Sequence, residues 1–304
     1  VLNGEPYLCE MLESLEGQTF RNFTVLLWDN GSSDATVEKA RKWIPSRLPG
    51  RVVSDIPLPL HECLARMVEE SETEFCARMD ADDICYPTRF ERQLEEFNSN
   101  PSLLVLGTQA EFIDPEGNAT GEGSRFPLEY CDILSGMLVE NQLLHPTVMF
   151  RKKAILDAGN YAFEKPCEDY DLWLRVAALG AICNLADTLL SYRQHDKSIL
   201  AKARELQQLE EPNLLCMDRH SEKMFGISPK IYRELRLKVH FLSVLLLIPA
   251  IIHIAGRSGV TVLRVLCSAS FLYSARCLTA RNDLISRGGW GLFQRIGKSL
   301  PIFS

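Results

Sequence analysis

The most constraining feature of this chain is the alternation of helical stripes and short apolar runs across residues 1–83, because it leaves few folds open. Apolar residues at Tyr7, Leu8, Met11, Leu12 and Leu15 mark a helix over Pro6–Gln18. Phe23–Trp28 is then an unbroken apolar run closed by Asp29-Asn30-Gly31-Ser32, as expected of a buried strand ending in a turn. A helix over Ala35–Trp43, capped by Asp34, leads to a strand at Arg51–Ser54 and a helix at Leu58–Glu70. A third strand, Phe75–Met79, runs into Asp80-Ala81-Asp82-Asp83. The expectation is an α/β fold with a mostly parallel sheet and helices on both faces. Ligands of such sheets sit at the carboxyl ends of strands, where Asp29 and the Asp80 cluster fall.

Further along, the pattern predicts a helix over Thr88–Asn98, a strand over Leu103–Thr108, a hairpin through Asp114–Asn118 and a helix over Glu129–Glu140. A strand at Thr147–Phe150, helices at Lys152–Ala158 and Asp169–Leu179, a strand at Leu189–Arg193 and a polar helix at Ala201–Arg219 follow. Residues 221–304 form a separate extension behind a 1–220 domain. Of the chain's 33 basic and 40 acidic residues, nine basic residues and one acid lie in 236–304. The acidic body argues against nucleic acid as a partner, whereas the basic, apolar tail suits an anionic membrane surface.

Within that tail, Val239–Ala255 is an apolar stretch of 17 residues interrupted by Pro249. It is shorter than the roughly 20 residues a membrane span needs. A second apolar helix is expected over Val260–Ala280, and attachment to a membrane and packing on the domain stand as equal alternatives. Ten scattered cysteines, with no C-x-x-C pair and no His-Cys spacing of a zinc cage, read as reduced thiols in a cytoplasmic protein. The opening Val1-Leu2-Asn3-Gly4 resembles the end of a strand entering a turn, which implies that sequence precedes it.

Two acidic strings carry the chemistry. Carboxylates at Asp80 and Asp82 can share one hard cation and the diphosphate bound to it, which stabilises charge building on a leaving phosphate. Glu168-Asp169-Tyr170-Asp171 opens a helix, where an acid either caps the helix or serves as a general base. Spacing alone leaves capping and chemistry open at both strings.

Taken in order, Asn3-Gly4, Trp28–Thr36, Arg78–Ile84 with Pro87 and Arg89, His145-Pro146-Thr147-Val148, Glu168–Trp173 and Tyr192-Arg193-Gln194-His195 resemble glycosyltransferase family 2 over about residues 1–200. The resemblance implies the GT-A fold, a Rossmann-like domain, and inverting transfer of a sugar from a nucleotide-diphosphate sugar, UDP- or dTDP-linked, to a hydroxyl acceptor. Leu2, Asn3, Asp29, Asn30, Asp80 and Ala81 would then bind the donor, with Asp29 and Asn30 beside the base and ribose. Asp82, Asp80 and His195 would hold a divalent metal, Mn²⁺ or Mg²⁺. Asp169 would be the catalytic base with Glu168 beside it, and His145 would lie near the acceptor.

Two residues depart from the family pattern. Leu2 stands where an aromatic residue commonly flanks the base, and Asn30 replaces a second Asp, keeping an acceptor oxygen without its charge. The processive Gln-x-x-Arg-Trp signature is absent, which favours one sugar per encounter. A glycolipid or surface-polysaccharide acceptor, lipid-linked at the cytoplasmic face of a membrane, suits the basic tail. The alternatives are a sugar-nucleotide nucleotidyltransferase, whose Gly-rich basic loop is missing at Asn3–Pro6, and an inactive transferase-like interaction module. A phosphatase built on Asp80-x-Asp82 would leave the Glu168-Asp169 string unexplained.

Overall fold

The computed structural model describes residues 1–54, 57–164, 167–196, 198, 210–237 and 248–258. Helix α1 (Leu8–Glu16) buries Leu8, Met11, Leu12 and Leu15 on one face and stops at Gly17. Strand β1 (Val25–Trp28), helix α2 (Thr36–Trp43), strand β2 (Gly50–Val53), helix α3 (Leu60–Glu70) and strand β3 (Phe75–Ala77) then alternate as expected. Strand β4 (Ile84–Cys85), helix α4 (Arg89–Ser99), strands β5 (Leu103–Ile113) and β6 (Ala119–Gly123), and helix α5 (Tyr130–Gly136) follow. A 3₁₀ turn at His145–Thr147 enters strand β7 (Met149–Arg151), succeeded by helices α6 (Lys152–Asp157) and α7 (Glu168–Ala177) and strand β8 (Ala181–Arg193). Helices α8 (Glu210–Phe225), α9 (Pro229–Leu237) and α10 (Ile248–Ser258) complete the described elements.

The α/β architecture is as expected, but its strand directions are mixed rather than mostly parallel. Parallel pairing joins β1 to β2 and β5 to β8. A larger sheet runs β3-β7-β5-β8-β4, with β6 paired to β5, and its other pairings are antiparallel. The difference lies in the larger sheet, where β7 runs antiparallel to both β3 and β5, β4 antiparallel to β8, and the β5/β6 hairpin joins sequence neighbours by a tight turn that only antiparallel strands allow. Strands β5 and β8 run 11 and 13 residues and form the sheet's long parallel pair. The sequence reading captured only parts of them, because polar residues such as Gln109 and Asn184 interrupt their apolar pattern.

Two apolar clusters flank the sheet. One gathers α1, α2, α4 and the near ends of β1 and β5; the other gathers α5, α7 and α8 around Trp173, Tyr170 and Phe150. The second cluster also takes in Tyr232, Ile254 and Ala255, so described parts of α9 and α10 pack on it, and residue 220 lies within α8. Among the described residues no helix is long and apolar enough to cross a membrane. Most of the stretch expected over Val239–Ala255 before α10, and all of Val260–Ala280, lie outside the described residues, as does 201–209 of the expected polar helix.

Close packing at the centre yields a stability expectation. A Cβ on Gly107 of β5 would stand 2.1 Å from Asn184 Oδ1, and the Asn184 amide is held by the carbonyls of Pro127 and Gln142 at 2.8 and 3.0 Å. Gly107→Ala is expected to lower unfolding free energy by about 1–3 kcal/mol, through overpacking, measured as a shift in urea midpoint at constant m-value.

Candidate active site

The carboxyl end of β1 supplies the first part of the site. Asp29 follows Trp28 directly and is buried; its Oδ2 accepts from the Gly31 and Ser32 amides at 3.1 and 3.0 Å, while its Oδ1 has no hydrogen-bond partner. Gly31 holds φ +90°, a conformation that favours glycine in so tight a turn. Asn30 follows in the same loop. Its Oδ1 accepts from the Leu58 amide at 2.6 Å and its Nδ2 donates to the Leu58 carbonyl at 2.7 Å, so it ties the β1 loop to the segment before α3. Asn3 Oδ1 accepts from the Ser33 amide at 2.9 Å, joining the same loop to the start of the chain, and Leu2 beside it is 59% exposed.

Three residues beyond β3, the turn before β4 brings Asp80, Asp82 and Asp83 together, with one carboxylate oxygen of each within 4.8 Å of the others. Arg78 ion-pairs with Asp80. Asp82 Oδ2 meets His195 Nε2 at 2.9 Å, so the end of β8 joins the cluster. Asp83, 1% exposed, accepts the Arg193 amide at 2.9 Å through Oδ1, and its Oδ2 is buried without a partner. Burial holds the Asp80 carboxyl above its usual range, with Arg78 pulling it down and Asp82 pushing it up. Burial and then the charges of Asp80 and Asp82 raise Asp83 much further. An oxygen-rich cluster with crowded negative charge and an unpartnered buried carboxylate oxygen fits a hard divalent cation.

Glu168 and Asp169 form the first turn of α7. Asp169 Oδ2 accepts from Asn141 Nδ2 at 2.7 Å and Oδ1 from the Tyr170 amide at 2.7 Å. Burial, then the neighbouring Glu168 charge, push the Asp169 carboxyl up to about 7. Glu168 is also raised by burial, with backbone hydrogen bonds and the Arg78 charge pulling it down and Asp80 pushing it up. His145 is only 8% exposed; its Nε2 lies 2.8 Å from the Tyr161 hydroxyl and its ring packs edge-on to Trp173. Burial and the Arg78 charge hold it well below the usual histidine range, so it stands neutral beneath the site.

Several members of the site were not singled out in the sequence. Arg78 ion-pairs with Asp80, Asn141 donates to Asp169, and the Tyr161 hydroxyl meets His145. Arg193 threads the cluster from beneath, donating to the Asp82 carbonyl at 2.8 Å and the Pro115 carbonyl at 2.9 Å, with its guanidinium over the Tyr7 ring. Asn141 and Tyr161 lie in segments without motif character, and spacing carried no signal for them.

A sequence model described as Glycosyl transferase family 2 matches residues 1–154. The chain belongs to glycosyltransferase family 2. Among curated relatives, this transferase is 35% identical over 187 residues to the amylovoran biosynthesis glycosyltransferase AmsE of Erwinia amylovora, covering 60% of this chain and 69% of that one. It is 31% identical over 199 residues to the O-antigen biosynthesis glycosyltransferase WbnJ of Escherichia coli, covering 64% and 77%. Among solved structures, the family 2 chain superposes on S. aureus TarS 1–349 in complex with UDP-GlcNAc at TM-score 0.56 and 17% identity, covering 92% and 88%. It also superposes on the mannosyltransferase PcManGT of Pyrobaculum calidifontis, in complex with GDP-Man and Mn²⁺, at TM-score 0.58 and 13% identity, covering 93% and 86%. The likeness establishes the GT-A fold for this transferase.

Proposed function

We propose that this transferase moves one sugar from a nucleotide-diphosphate sugar to an acceptor hydroxyl, with inversion, in the assembly of a surface polysaccharide. The observation that carries the reading is the Asp80-Asp82-Asp83 cluster together with Glu168-Asp169, whose carboxyls both feel the Arg78 charge that also pairs with Asp80. The Asp169 carboxylate takes the proton of the acceptor hydroxyl as its oxygen bonds to the anomeric carbon; the bond from that carbon to the diphosphate oxygen breaks, and the nucleoside diphosphate leaves. A side chain whose proton affinity lies near neutral pH suits that transfer. Asn141 keeps the Asp169 carboxylate aimed, and Arg78 offsets negative charge on either side.

Asp82, Asp80 and His195 would hold a divalent cation, Mn²⁺ or Mg²⁺, which when bound neutralises charge gathering on the diphosphate. The unpartnered Asp29 Oδ1 supports a base contact at the β1 loop, where a UDP- or dTDP-sugar would offer an N–H. His145, neutral and bonded to Tyr161, supports the acceptor side from below rather than by charge. The relatives named for amylovoran and O-antigen synthesis support a growing, lipid-linked glycan as the acceptor. Residues 1–220 contain every group in this scheme.

Calorimetric titration of UDP-, dTDP- and GDP-sugars, with and without Mn²⁺, into wild type and Asp82→Ala tests the reading. Wild type is expected to bind one nucleotide class at least about tenfold more tightly with metal, and the variant to lose that gain, in line with the cost of altering metal ligation. Metal-independent binding equal in the two proteins would sink the metal assignment, and no binding to any sugar nucleotide would sink the donor class.

A further inference from the structure

A second set of metal-ligating side chains lies outside the chemistry above. Cys216 and His220 stand one turn apart on α8, and Asp171 stands in the first turn of α7; one ligand atom of each lies within 4.8 Å of the others, and all three residues are buried. Cys167, one turn before Asp171, is near enough that its thiol pushes that of Cys216 up. Two pairs spaced four residues apart, Cys167/Asp171 and Cys216/His220, therefore face each other from adjacent helices. The chain has no C-x-x-C pair, and this spacing gains meaning only once α8 is laid against α7.

We propose that Cys167, Asp171, Cys216 and His220 form a structural zinc site that fastens α8 to the first turn of α7. Two sulfurs, an imidazole nitrogen and a carboxylate oxygen suit Zn²⁺ in tetrahedral coordination far better than the hard cations that favour all-oxygen sites. The orientation of the carboxylate is already set: Asp171 Oδ1 faces His220 Nε2 at 2.7 Å, while Oδ2 accepts from Arg175 Nε at 2.9 Å. Arg175 thus occupies the outer-shell place in which ligating carboxylates are hydrogen-bonded. Charge also balances. Binding releases a proton from each thiol, and two thiolates, one carboxylate and Zn²⁺ leave one negative charge, which the Arg175 guanidinium offsets. Glu168 and Asp169 lie between Cys167 and Asp171, so the clamp would fix the turn on which they sit. None of the four ligands belongs to the Asp80 cluster, and the site stands whatever the donor sugar is.

The test uses the full chain, stripped with a chelator and reloaded with Co²⁺ alone as a spectroscopic stand-in for zinc. Expected are a thiolate-to-cobalt charge-transfer band and the intense visible bands of tetrahedral Co²⁺, saturating at about one equivalent and displaced by Zn²⁺. Asp82→Ala should retain the bands in full, Cys216→Ser should lose most of the charge-transfer intensity, and His220→Gln should weaken binding at least about tenfold. Wild type needs no variant to give the primary reading, so a poorly folded variant does not blunt the test. No charge-transfer band in wild type, an undiminished band in a folded Cys216→Ser protein, or a Cys167–Cys216 disulfide in protein purified anaerobically would overturn the proposal.

Discussion

Asp169→Asn is expected to lower kcat about a thousandfold, within the range that a positioned general base contributes, while donor and metal binding stay within about twofold of wild type. The amide keeps the shape of the carboxylate, but its single acceptor oxygen can serve Asn141 or the Tyr170 amide and not both, so the change removes a basic oxygen and one hydrogen bond. Two further readouts separate a base from a merely structural acid. First, the wild-type carboxyl is pushed up to about 7 by burial and by Glu168, so kcat/KM should fall about tenfold per unit as pH drops below that point. The variant's residual rate should lack this limb.

Second, the stability effect has the opposite sign. The folded protein protonates Asp169 at a higher pH than the unfolded chain does, near 3.9, so folded molecules bind more protons between about pH 4 and 7. Stability contributed by that protonated form is lost as pH rises through the window. Asp169→Asn should consequently gain on wild type as pH rises from about 4 to 8, against a constant loss from the one hydrogen bond it cannot make. A variant that is slow, gains on wild type towards alkaline pH and is undisturbed in donor binding identifies a strained group kept for chemistry. A variant with unchanged turnover would remove Asp169 from that role.

The first half of the fold was legible because its signals are local. Helix α1 announces itself by a one-sided apolar stripe, and β1 by an apolar run ending in Asp29-Asn30-Gly31. Strand direction after Asp83 was not legible, since it follows from pairings between distant segments, such as Val105 with Phe150, that no window contains. The acidic cluster could be picked out for a similar reason: Asp80, Asp82 and Asp83 are neighbours in the chain. Groups that act through burial could not. Arg78 reads as an ordinary strand arginine and Asn141 as a loop amide, until packing pairs Arg78 with Asp80 and Asn141 with Asp169. Cys216 and His220 read as unrelated residues of a polar helix until α8 is laid on α7.

Arg193 carries the largest expected cost to the fold. Its guanidinium is wholly buried at the end of β8, donating to the carbonyls of Asp82, Asp114 and Pro115 and ion-pairing with Glu10 of α1. Arg193→Met preserves the apolar stem but removes the charged donor from the Asp82 and Pro115 carbonyls and from Glu10, while the Asp114 carbonyl keeps the Gly117 amide, and each hydrogen bond to a charged group contributes about 1.5–3 kcal/mol. The sum is expected to be at least about 3 kcal/mol of unfolding free energy, a large share of the roughly 5–15 kcal/mol that holds a domain. Arg193→Lys should recover only part of it, because one ammonium cannot span donors spread across a planar fork. Arg92, whose partners Glu95 and Asp187 lie in solvent, should show no measurable change on the same substitution. Since the Arg193 side chain also fixes the Asp82 backbone, the Met variant should bind Mn²⁺ more weakly even where it remains folded. Urea unfolding at constant m-value gives the first quantity and metal titration the second. A loss below about 1 kcal/mol with unaltered Mn²⁺ affinity would mean that the acidic turn holds its shape without the strand beneath it.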